Sequence, residues 1–83
     1  MKRYTQDMKS YPEFGAVLRK LRVEKGLSQE ALASRLDMVS NGYISRLESG
    51  QKNPTLDMLF RISEALEMKP WEFLKRMDEE RQN

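Results

Sequence analysis

The chain has 83 residues, with 15 Lys and Arg against 13 Asp and Glu, no cysteine and no histidine. One small domain is the expectation at that length. The missing cysteines exclude a disulfide framework and a thiolate metal site, and the missing histidines remove the usual general base and the commonest transition-metal ligand. Any acid–base chemistry falls to Asp, Glu, Lys and Tyr, and Asp37, Glu48 and Lys52 stand in no catalytic spacing. The expectation is therefore a non-enzyme without cofactor or metal.

The charge is unevenly spread. Residues 1–53 hold 10 basic and 6 acidic side chains, whereas residues 54–83 hold 5 and 7. The basic part suits a polyanion and the acidic part a different partner surface, although ordinary solvated faces would look the same. No apolar run approaches the ~18–20 residues of a membrane span. The opening MKRYTQDMKS has charge but no apolar core of a secretory signal. A soluble, cytoplasmic protein is expected.

Residues 1–9 are polar and aperiodic and read as a flexible tail. Ser10 and Glu13 have capping-box spacing, and Pro12 suits a first helical turn, where its missing N–H costs nothing. Phe14, Val17, Leu18 and Leu21 then form one apolar stripe at i, i+3, i+4 and i+7. Gly26 ends this helix, with Lys25 favourably placed in its last turn. Ser28 caps a second helix reaching about Leu36, with Leu32 and Ala33 inward. After a turn at Asp37–Val39, Ser40 caps a third helix, about Asn41 to Glu48, which Gly50 ends. Gln51-Lys52-Asn53-Pro54 is a polar loop. Thr55 caps a fourth helix with a broad apolar face of Leu56, Leu59, Phe60, Ile62, Ala65 and Leu66. Met68 and Pro70 mark a break before a fifth helix carrying Trp71, Phe73, Leu74 and Met77. Residues 78–83 read as a charged tail, and residues 10–77 as the folded domain. There is no strand signal and no repeat.

The second and third helices are too short to stand alone in water and must be packed. A tight pair of this kind between apolar helices has the outline of a helix-turn-helix. The motifs LSQEALA, YISRLESG and NPTLDML, in that order over about Leu18 to Leu74, resemble the Cro/C1-type (phage-repressor-like) family. The resemblance implies an all-α, five-helix, lambda-repressor-like domain that binds double-stranded DNA. It implies that the third helix enters the major groove, with Ser40, Asn41, Gly42, Ser45 and Arg46 at base edges. Gln29 would meet a phosphate, and Lys52, Asn53 and Thr55, with the first N–H groups of the fourth helix, would clamp a second one. Tyr43 has two readings, a hydroxyl on a phosphate or a ring half-packed on the second helix. Arg22 and Glu48 match an ion pair that locks the third helix to the first.

The chain departs from the family pattern between Leu36 and Tyr43, where it is one residue longer. The extra residue either lengthens the turn or slides the start of the third helix, which leaves Ser40, Asn41 and Gly42 open by one position. Asp37 stands where a glycine would relieve a positive φ.

Trp71 and Met77, with part of Leu59 or Phe60, offer an apolar surface for a homodimer on a palindromic operator. Met68 and Phe73 are expected to close the monomer core. The leading expectation is a transcriptional regulator, a dimeric repressor or small controller protein. The alternative is the antitoxin half of a toxin–antitoxin pair, whose toxin-binding surface would fall on the tails or the fifth helix.

Overall fold

The computed structural model describes residues 11–37 and 39–82. They form five helices: α1 Pro12–Glu24, α2 Gln29–Arg35, α3 Asn41–Glu48, α4 Leu56–Ala65 and α5 Pro70–Arg81. Among the described residues there is no strand, and no helix is long and apolar enough to cross a membrane.

The helix starts follow from side-chain chemistry. The Ser28, Ser40 and Thr55 hydroxyls accept the backbone N–H of Ala31, Tyr43 and Met58 at 2.9, 3.2 and 3.0 Å, each satisfying a donor that has no carbonyl within its helix. The Glu72 carboxylate accepts the Lys69 N–H at 2.7 Å and fixes the start of α5. The first helix starts differently from expectation. Ser10 lies outside the described residues, Tyr11 is the N-cap and makes no side-chain cap bond, and the Glu13 carboxylate sits 3.2 Å from Arg81.

Three helix ends share one device. After α1, α3 and α4 the residue beyond the C-cap is left-handed: Gly26 at φ 71°, Gly50 at 82° and Glu67 at 60°. In each, the next N–H turns back to an orphan carbonyl: Leu27 to Arg22, Gln51 to Arg46, Met68 to Ser63. These are Schellman closures. Glycine adopts that backbone freely, whereas an L side chain costs roughly 1–2 kcal/mol there. Glu67→Gly is therefore expected to stabilise the domain by ~0.5–1 kcal/mol, part of the relief being returned to the freer unfolded chain. A thermal melt showing a raised midpoint checks this. Asp37, by contrast, has no positive φ; the only non-glycine one among the described residues is Glu67.

The apolar stripe of α1 lands as its periodicity demands. Phe14, Val17, Leu18 and Leu21 join Leu32, Ala33, Leu36, Ile44, Leu47, Leu59, Ile62, Leu66 and Phe73 in one core. Phe14 and Phe73 stack at 5.0 Å between centroids and seat α5 on α1. Around that contact run three α1–α5 ion pairs, Lys20–Glu80 at 2.7 Å, Glu24–Arg76 at 3.3 Å and Glu13–Arg81 at 3.2 Å. Two expectations change here. Residues 78–81 are not a tail but the last turn of α5, because Glu80 and Arg81 find partners on α1. The C-terminal acidic surplus is in part used within the domain. The more exposed of these, Lys20–Glu80 and Glu24–Arg76, contribute ~0–1 kcal/mol each, whereas the Glu13 side chain is only 12% exposed.

Candidate nucleic-acid interface

The site is built around α3, which is held on two sides. Ile44 and Leu47 are fully buried, and Tyr43 is half-buried against the same core. At its C-terminal end the Glu48 carboxylate receives both arms of the Arg22 guanidinium, Nε to Oε2 at 2.6 Å and Nη2 to Oε1 at 3.0 Å. The third Arg22 nitrogen donates to the Leu27 carbonyl at 2.7 Å, and the Gln29 amide donates to Glu48 Oε1 at 3.1 Å. One carboxylate thus ties the end of α1, the turn before α2, the start of α2 and the end of α3. The bond to Glu48 raises the Arg22 pKa further, against the opposing effect of burial. A fork on a carboxylate fixes direction as well as distance.

The same end of α3 rests on backbone. A Cβ placed on Gly15 would stand 2.5 Å from the Leu47 carbonyl oxygen and 2.6 Å from that of Glu48. Only a glycine lets α1 and α3 meet this closely. On another side the Arg35 guanidinium donates to the Ala65 carbonyl at 2.9 Å, closing the end of α4 against α2. Neither Gly15 nor Arg35 emerged from the sequence. A lone glycine inside the α1 periodicity was the available signal for the first; for the second there was none, since a basic residue late in a helix is ordinary.

The expected site residues divide accordingly. Ser40 caps α3, so the extra turn residue leaves the helix starting at Asn41. Asn41, Ser45 and Arg46 are exposed on its outer face, with Gly42 half-buried beside them. Gln29 is half-buried with its amide on Glu48, a positioning contact rather than a solvent-facing one. Thr55 spends its oxygen on the α4 cap, and Asn53 Oδ1 accepts the Tyr11 N–H at 3.0 Å, tying the loop to α1. Lys52 is exposed, its ammonium 5.8 Å from the centre of the Tyr43 ring. Of the four residues expected at a dimer surface, Phe60 and Trp71 are exposed, at 52% and 61%. Leu59 is not: at 7% exposed it belongs to the core. Met77 is partly buried against the same core. Phe60 and Trp71 line two grooves that share Met68.

Gly42 differs from Gly15. A Cβ there would lie 3.6 Å from the Ser40 hydroxyl and 3.8 Å from the Arg46 guanidinium, which are ordinary contacts. The fold does not require this glycine. Gly42→Ala is expected to raise stability by up to ~1 kcal/mol, the usual helix preference. If the glycine serves approach to DNA, the same variant binds DNA less tightly although it melts higher; a melt and a binding titration on one sample separate the two.

A short helix whose core side is clamped by an ion pair and whose outer side carries Asn, Ser and Arg can enter a major groove as a rigid body and present donors to base edges. With α2 bracing it across a tight turn, the fold and site define a helix-turn-helix domain. A helix-turn-helix family model matches residues 18–74. The control protein C.BamHI of Bacillus amyloliquefaciens is 40% identical over 62 residues, which is 74% of this chain and 75% of that protein. The regulator PrpR of Mycobacterium tuberculosis is 43% identical over 54 residues, covering 65% of this chain but only 11% of PrpR. The structure of the restriction–modification controller protein C.Esp1396I, a tetramer on its natural 35 base-pair operator, superposes with a TM-score of 0.80 at 29% identity, over 95% of this chain and 100% of that one. The chain belongs to the Cro/C1-type helix-turn-helix family of DNA-binding transcriptional regulators.

Proposed function

We propose that this protein is a small controller or repressor that binds a two-fold symmetric DNA operator as a homodimer and blocks a promoter, acting in the compartment that holds the DNA. The observation that supports this best is the outer face of α3. It presents Asn41, Ser45 and Arg46 to solvent while Glu48 anchors the helix through Arg22 and Gln29. In this reading Arg46 donates to guanine O6 and N7, Asn41 to an adenine edge, and Ser40 and Ser45 to either, with Gly42 at closest approach. Lys52, Asn53, Thr55 and the first N–H groups of α4 take phosphates, as does the Gln29 backbone at the start of α2. Phe60 and Trp71 meet their counterparts across the two-fold axis, which sets half-sites about 34 Å apart.

Substitution separates reading from holding. Arg46→Ala is expected to lose discrimination between operator and unrelated duplex, while Lys52→Ala weakens both alike and flattens the dependence on salt. Fluorescence anisotropy titrations at several salt concentrations measure this. Undiminished discrimination in Arg46→Ala sinks the assignment of α3 as the reading helix.

A further inference from the structure

We propose that the face of the Tyr43 ring is a seat for the Lys52 ammonium, so that Lys52 meets the DNA backbone already positioned, and that Tyr43 serves binding through its ring rather than its hydroxyl. The proposal rests on the reading of α3 and its following loop as the DNA-facing side. Tyr43 is in the first turn of α3 and Lys52 lies beyond its end, yet the ammonium stands 5.8 Å from the ring centroid. The backbone produces this return. Gly50 turns left-handed, and the N–H groups of Gln51 and Lys52 both donate to the Arg46 carbonyl, at 2.9 and 3.3 Å. Asn53 then holds the loop to Tyr11. The seat is held in place as well, because Tyr43 is partly buried and packed against the core. Lys52 takes part in no ion pair among the described residues, so its charge is left for a partner outside the domain.

A lysine side chain loses much rotamer freedom when it engages a phosphate. A ring face that already restricts it removes part of that loss, while an aromatic quadrupole attracts the cation. The size of such a contact at an exposed site corresponds to roughly a two- to five-fold change in affinity. Because a phosphate contact carries no sequence information, the gain applies to any duplex.

Two measurements test it. In the DNA-free protein, proton NMR should show the Lys52 side-chain methylenes shifted upfield by the ring, in wild type and Tyr43→Phe but not in Tyr43→Leu. On a random-sequence duplex, Tyr43→Phe should bind as wild type with the same salt slope. Tyr43→Leu should lose two- to five-fold, and that loss should vanish in a Lys52→Met background. Unshifted methylenes overturn the seat. So does a loss in Tyr43→Phe equal to that in Tyr43→Leu, which would assign the hydroxyl to the phosphate, or a Tyr43→Leu loss that persists beside Lys52→Met. Shifted methylenes with full binding by Lys52→Met would instead overturn the underlying reading of Lys52 as a phosphate contact.

Discussion

Arg22→Ala is expected to cost ~3–5 kcal/mol of folding stability, the range for removing one partner of a buried pair. The side chains of Arg22 and Glu48 are only 12% and 6% exposed. Without the guanidinium the carboxylate keeps a single side-chain donor, the Gln29 amide, and the Leu27 carbonyl loses its donor as well. For a domain of this size 1 kcal/mol moves the melting midpoint by roughly 4–8 °C, so a drop of at least ~12 °C follows. Arg22→Lys is not expected to recover it, because an ammonium cannot span both carboxylate oxygens and the Leu27 carbonyl in one plane. Replacing both partners by apolar residues should recover most of the loss, since no charge then remains buried. Circular-dichroism melts of the three variants check this, and a midpoint in Arg22→Ala within a few degrees of wild type would contradict it.

Gly15→Ala carries the second large effect, in the direction opposite to Gly42→Ala although the residue change is the same. At Gly15 the atoms in the way are the carbonyl oxygens of Leu47 and Glu48 and the Glu48 carbonyl carbon, the last at 2.9 Å. Backbone cannot rotate aside, so α1 and α3 must part. Overpacking of this kind costs ~1–3 kcal/mol, against a helix-propensity gain of at most ~1 kcal/mol. The shift falls at the end of α3 that bears Glu48, so DNA affinity should fall too, even where the variant remains fully folded. A melt and an anisotropy titration below the melting range measure the two losses. Equal stability in Gly15→Ala would mean that the two helices are not in backbone contact.

The sequence carried the helices because each is declared locally. Ser28, Ser40 and Thr55 are caps, Gly26 and Gly50 are stops, and the α1 stripe has a clean helical period. Each of these is a statement about residues within a few positions of each other. The Glu67 closure was invisible because glutamate is not a stop residue; the chain there follows the packing of Leu66 and Met68 against the core rather than its own preference. The length of α5 was missed for a related reason. Asp78 to Arg81 are charged and look solvated until α1 supplies Lys20 and Glu13 as partners.

The candidate site was legible in outline through the resemblance of LSQEALA and YISRLESG to a known family, which also led to Arg22 and Glu48. What remained hidden was long-range. That Gln29 turns inward to Glu48 depends on how α2 packs against α3, and that Asn53 holds Tyr11 and Lys52 returns to Tyr43 depends on how the loop after α3 folds back. No local pattern encodes that return. Leu59 was misplaced because the apolar face of α4 is too broad for sequence to say which edge meets the core and which is left outside.

The proposed function requires α3 to read a two-fold symmetric DNA sequence. Selection of bound duplexes from a random pool, followed by the binding stoichiometry on the enriched duplex, tests it most directly. The expected outcome is an inverted repeat with half-sites about one helical turn apart, two protomers per repeat, and a guanine in each half-site whose enrichment disappears with Arg46→Ala. A pool that emerges without a shared sequence, or one whose sequence is unchanged by Arg46→Ala, would contradict it.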